Sequence, residues 1–171
     1  MSQSMAVLKQ PAQLNGDSSR QQQLVICKVG EGLYGLEIQG VREINRVSAI
    51  TPIPNASMYV LGIINLRGAI VPVIDLGHKF GQMRTEQSNG TRIVVIEIDG
   101  NLLGLMVSEV SEVLSLAAEN IESTKGIISN EIVGNYVSGI GKVEDKLILI
   151  LAIARLFNNS GLTSLNERVE A

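Results

Sequence analysis

At 171 residues, with 45% apolar and 18% charged positions, the chain has material for one compact body or two small units sharing a core, within the usual range of about 100–200 residues per domain. A net charge of −3 and only 3% aromatic residues remove the basic footprint and the stacking surfaces on which nucleic-acid binding rests. One cysteine excludes an internal disulfide.

Residues 1–21 are polar and contain no apolar run of signal-peptide length, so they read as a flexible tail. Leu24 to Val29 is an apolar run that stops at Gly30-Glu31-Gly32 and resumes from Leu33 to Ile38, the pattern of a hairpin. Cys27 lies inside that run and reads as a small buried side chain. Val41 to Val47 alternates loosely and runs into Thr51-Pro52-Ile53-Pro54-Asn55, where two prolines favour an extended connection. Gly62 to Leu66, the turn Arg67-Gly68, and Ala69 to Leu76 form a second expected hairpin. Pro72 lacks a backbone donor, which predicts an edge position or a bend for its strand. His78-Lys79-Phe80 is expected to be a short helical turn closing the first unit.

Residues 84–91 are the most polar internal stretch and form a natural connector. Arg92 to Ile98, the turn Asp99-Gly100-Asn101, and Leu102 to Val107 then predict a third hairpin, for which Asp-Gly is a strong signal. A helical turn is expected over Ala117 to Ile121 and irregular chain over Gly126 to Gly134. Val137 to Lys142, a turn at Glu144-Asp145, and Lys146 to Leu151 follow as the last hairpin. Ser164 with Glu167 matches a capping box for a short terminal helix. The longest apolar stretch, Leu147 to Ala154, is far short of the roughly 20 residues of a membrane helix, so no membrane insertion is expected.

These elements recur. Leu33-Tyr34-Gly35-Leu36 with Val41, Glu43 and Ile44 returns as Leu102-Leu103-Gly104-Leu105 with Val110, Glu112 and Val113, 69 positions on (Gly35 to Gly104). Gly62-Ile63 and the run Ile70 to Ile74 return as Gly139-Ile140 and Leu147 to Leu151, 77 positions on (Gly62 to Gly139). Two small units of one design are the simplest reading. Leu147-Ile148-Leu149-Ile150-Leu151 shows no polar face, and a strand apolar on both sides must be covered on both sides. Two short-stranded barrels joined through one shared core are therefore expected, with units over 22–90 and 91–157, a tail or helix over 158–171, and end strands free to exchange between the units.

Groups for catalysis are scarce. His78 is the single histidine and stands beside Lys79, away from any cysteine or carboxylate cluster, so a histidine triad or a multi-histidine metal site is not available. Gly139-Ile140-Gly141-Lys142 lacks the spacing and the hydroxyl of a phosphate loop. Glu43 and Glu112 hold matching places in the repeat, which points to a shared architectural or surface role. A small enzyme built on Glu43 or Asp75 remains the competing class. No catalytic residue, cofactor or metal ligand is expected.

The block Gly62 to Leu76, together with Tyr34-Gly35, Val41-Arg42-Glu43-Ile44, His78-Lys79-Phe80 and Val110 to Leu116, closely resembles the signature of the CheW family of chemotaxis coupling proteins, over roughly residues 22–157. The resemblance implies an all-β protein of two five-stranded SH3-like barrels around a common core. It implies a non-enzymatic, cytoplasmic adaptor, monomeric when free, that joins the regulatory domain of the histidine kinase CheA to the cytoplasmic tips of methyl-accepting chemoreceptors in membrane-associated arrays. A coupling domain of another chemosensory or twitching-motility pathway is the alternative. The receptor-binding positions it implies are Val41, Glu43, Arg67, Gly104, Val110 and Val113. Arg67 sits in a hairpin turn shaped by Asn65 and Gly68, from which its planar fork could clamp a partner carboxylate or carbonyl. Gly62 and Gly139 are the implied kinase-binding positions, where glycine permits close backbone approach; a bulge or tight turn would explain both equally well. No receiver-like segment is expected after residue 157 and no phosphate-accepting histidine before residue 22.

Overall fold

In the turn Arg67-Gly68 both residues are left-handed (φ 52° and 92°), as they are in Asp99-Gly100 (φ 52° and 84°). Two-residue turns of this hand carry the twist that strands need, so each locks the register of its hairpin. The computed structural model describes residues 21–124 and 134–158. The strands are β1 (Gln21–Val29), β2 (Gly32–Glu37), β3 (Val41–Arg46), β4 (Val60–Leu66), β5 (Ala69–Asp75), β6 (Arg92–Ile98), β7 (Asn101–Val107), β8 (Glu109–Ala117), β9 (Ile121–Glu122), β10 (Val137–Val143) and β11 (Lys146–Leu151). Among the described residues, two short helices, α1 (Leu76–Lys79) and α2 (Ile153–Asn158), follow β5 and β11. The expected tail, most of the irregular stretch, and the Ser164 capping box lie outside the described residues.

The protein is all-β, two SH3-like barrels. One sheet runs β3-β6-β7-β5-β4 and the other β8-β1-β2-β11-β10-β9. Each sheet therefore takes its first hairpin from the opposite repeat: β1 and β2 pair within the sheet of β8 to β11, and β6 and β7 within that of β3 to β5. The exchange is sealed by two parallel contacts at matching registers, Val73 with Gly104 and Ile150 with Gly35. Closure is also matched. Beyond β3, Thr51 exchanges two 2.9 Å backbone hydrogen bonds with Ile63 of β4, while β8 bends through a 3-10 turn, Ala118–Asn120, into β9, which pairs with β10. The sixth strand of the second sheet is thus the bent continuation of β8.

Three apolar clusters result among the described residues. Ile64, Val71, Val73, Ile93, Val95 and Met106 fill the first barrel, and Leu24, Ile26, Leu116, Ile148 and Ile150 fill the second. Between them the opposite faces of the same strands, with Val25, Cys27, Leu36, Ile74, Val94, Ile96, Leu105 and Leu151 among them, build a shared core. Each fully buried Leu or Ile contributes about 1.5–3 kcal/mol, so separating the barrels would expose a core as large as either interior.

Two expectations change. Leu147 is 60% exposed and Leu149 only half-buried, because the outer end of β11 runs past the shared core; burial on both faces begins at Ile150 and Leu151. Pro72 is not on an edge strand: β5 lies between β4 and β7. Its ladder with β7 begins at Val73, so the missing donor falls at the margin of that pairing.

Candidate interaction site

Asn65, Arg67 and Gly68 stand at the exposed β4–β5 turn. The Asn65 Oδ1 accepts a hydrogen bond from the Gly68 amide at 2.9 Å, fixing the turn from its side. Arg67 pays for its left-handed backbone with side-chain bonding: its Nη1 and Nη2 donate to the two carboxylate oxygens of Glu43 at 2.7 and 2.8 Å, the planar fork geometry that only arginine offers. The Glu43 carboxyl is held below its ordinary value by the hydrogen bond from Arg67, and the Arg67 guanidinium is raised by the same bond. The Arg67 side chain remains 71% exposed. The pair thus presents an oriented guanidinium to solvent, in place of a freely rotating one.

Glu43 sits two residues after Val41, and between them Arg42 is the extra residue of a bulge against β6. The matching bulge in β8 has Ser111 between Val110 and Glu112, against β1. Val41, Val110 and Val113 are all half-buried against the shared core. The structure thus gathers Glu43, Asn65, Arg67 and Gly68 into one bonded turn and sets the three valines at the margin of one core, with β3 common to both groups.

The glycines are placed differently. Gly104 is buried in β7, where a Cβ would stand 2.9 Å from Ile93 Cγ2 and 3.2 Å from Val73 Cγ2. Gly62 and Gly139 are buried at matching bulges, beneath the chain that closes each barrel: a Cβ would stand 2.1 Å from the Thr51 carbonyl oxygen at Gly62 and 3.0 Å from Ile121 Cγ2 at Gly139. All three have a packing reason to be glycine, and none offers side-chain surface to a partner.

Sequence reasoning missed how the connection between the units is pinned. Asp75 is 1% exposed and accepts from the His78 amide and from both the amide and hydroxyl of Thr85, at 3.3, 2.8 and 2.8 Å. Lys79, also buried, places its Nζ 4.1 Å from the ring centre of Tyr59 and 4.9 Å from that of Tyr136. Phe80 lies against Tyr34 and Tyr136 at 5.4 and 5.7 Å. Four of the chain's five aromatic residues therefore meet at one place, although nothing in their sequence spacing says so. His78 is half-buried, and its Nδ1 has no hydrogen-bond partner among the described residues. Cys27 is fully buried, and burial pushes its thiol up to about 12, consistent with an inert packing role. No group of His, Cys, Asp and Glu suited to a metal ion is present among the described residues, and no helix among them is long and apolar enough to cross a membrane.

Comparison with known proteins bears on this arrangement. Residues 23–161 match the family model described as the CheW-like domain. The chemotaxis protein CheW of Treponema pallidum (strain Nichols) is 32% identical over 152 residues, covering 86% of this chain and 89% of that protein. The chemotaxis protein CheW of Klebsiella aerogenes is 32% identical over 155 residues, covering 91% and 92%. Among solved structures, the scaffolding protein TtCheW from Thermoanaerobacter tengcongensis superposes with a TM-score of 0.73 at 37% identity, covering 82% of this chain and 94% of that one.

Proposed function

Because the chain belongs to the CheW-like domain family, we propose that it is a non-enzymatic scaffold of chemotaxis signalling, joining the regulatory domain of the histidine kinase CheA to the cytoplasmic tips of chemoreceptors. The relatives are named chemotaxis proteins and a scaffolding protein, which supports the coarse role; the two partners and the array at the membrane are our extension. The observation that carries the extension is the Arg67–Glu43 pair on its fixed turn. A receptor tip would be read by the exposed face of the guanidinium, with Val41, Val110 and Val113 supplying apolar contact beside it.

The mechanism is geometric. Two barrels fused through a shared core cannot hinge freely, so a partner held by one face keeps a fixed orientation to a partner held by another. Small receptor displacements then bias the kinase between active and inactive states through differential contacts alone. The three buried glycines act by setting bulge and crossing geometry. The test is binding of a purified receptor-tip fragment to Arg67→Glu. Binding should fall while the thermal midpoint stays within a few degrees of wild type, as for other surface changes; equal loss of folding and binding would make Arg67 structural. A chain that binds receptor tips of a twitching-motility system, and none from chemotaxis, would assign it to that pathway.

A further inference from the structure

The hairpins and the bulged strands β3 and β8 keep matching registers in the two barrels, yet the barrels differ in how one mouth is closed. In the first barrel Arg42 is ion-paired with Glu97 and Arg67 with Glu43. The positions 69 residues on from Arg42 and Glu43 are Ser111 and Glu112, and the position 69 residues before Glu97 is Lys28. The position 77 residues on from Arg67 is Glu144, itself left-handed at φ 56° as Arg67 is at 52°. The second barrel therefore has Ser111 with Lys28, and Glu144 with Glu112, where the first has two salt bridges. No ion pair joins Lys28, Glu112 or Glu144 to another described residue.

At this unlatched mouth lies a cleft of about 580 Å³. Its floor includes Ile26, Leu33, Leu114 and Ile148, the residues of the second barrel's own core and its margin. Four carboxylates and two lysines stand around it, Glu112 and Glu144 among them.

We propose that this cleft is a docking site for a segment of a partner protein that presents an arginine next to an apolar side chain. The guanidinium supplies what the second barrel lacks, seating against Glu112 as the guanidinium of Arg67 seats against Glu43, while Glu144 adds a second carboxylate on the turn side. The apolar neighbour covers Leu33 and Leu114. An apolar segment without a cation would leave the carboxylates unmatched, and an acidic one would be repelled. The site is separate from the Arg67 turn, none of whose residues line it.

The experiment uses the full-length, ¹⁵N-labelled chain titrated with a blocked pentapeptide of sequence GLRLG and with the same peptide carrying citrulline in place of arginine. The arginine peptide should shift the amides of Lys28, Glu112, Leu114 and Glu144, and should bind at least about threefold more tightly than the citrulline peptide, the scale of an exposed charge-assisted pair. The double variant Glu112→Gln, Glu144→Gln should bring both peptides to one affinity. Glu144→Arg, which rebuilds the latch of the first barrel across from Glu112, should abolish binding without lowering the thermal midpoint. Equal binding of the two peptides, shifts confined to the Arg67 turn, or undiminished binding to Glu144→Arg would each overturn the proposal.

Discussion

Gly62 and Gly139 occupy equivalent bulges, yet the structure makes them unequal as targets for alanine. Gly62 has φ +145°, a conformation that L side chains rarely adopt, and its Cβ would fall 2.1 Å from the Thr51 carbonyl oxygen. The backbone strain alone costs about 1–3 kcal/mol. The clash must also push Thr51 away from Ile63, weakening two hydrogen bonds of 2.9 Å at about 1 kcal/mol each. Gly62→Ala should therefore lose about 3–5 kcal/mol, a fall in thermal midpoint of about 6–20 °C for a chain of this size. Gly139 has no positive φ, and its Cβ would press on a side-chain methyl of Ile121 at 3.0 Å, so Gly139→Ala should cost about 1 kcal/mol. Urea and thermal unfolding of both variants, followed by circular dichroism, measure the difference. Equal stability of the two would refute the strained-closure explanation of Gly62, and a stable Gly62→Ala that had lost kinase binding would return that residue to the interface.

The exposure of β11 gives a paired test: Leu151→Asp should unfold the protein, since Leu151 is 2% exposed and a lone buried charge has no compensation, whereas Leu147→Asp, at 60% exposed, should stay within about 0.5 kcal/mol of wild type. An unfolded Leu147→Asp with a folded Leu151→Asp would reverse the orientation assigned to the strand. The Glu43 carboxyl, lowered by its hydrogen bond from Arg67, should titrate below ordinary glutamates in a carbon-detected pH series and move up in Arg67→Ala. A carboxyl with a depressed folded value stabilises the fold above the ordinary carboxylate range and loses that contribution as pH falls through the depressed value, so wild type and Arg67→Ala should converge in stability in acid.

Much of the fold was legible because duplication doubled every signal. The Asp99-Gly100 and Arg67-Gly68 turns, the apolar runs on either side of them, and the paired glycines at offsets of 69 and 77 residues state the hairpins and their order. Which hairpin joins which sheet was not legible. β2 meets β11, and β5 meets β7, through parallel contacts between strands far apart in sequence, and period-two patterning is blind to such partners. Leu147 was misjudged for the same reason: five apolar residues in a row do not reveal where a strand outruns its core. At the site, Arg67 and Glu43 were each singled out, but their bond spans the barrel between residues 24 apart, and no local spacing encodes it. The cage of Tyr59 and Tyr136 around Lys79 is likewise a product of the tertiary fold.

A scaffold must hold two partners at once. The most direct measurement is sedimentation velocity on a mixture of this chain, a purified CheA regulatory domain and a receptor-tip fragment. One complex containing all three is expected, with the receptor fragment joining the kinase domain only when the chain is present and leaving it again with Arg67→Glu. Mutually exclusive binding of the two partners, or a kinase–receptor complex indifferent to the chain, would contradict the account.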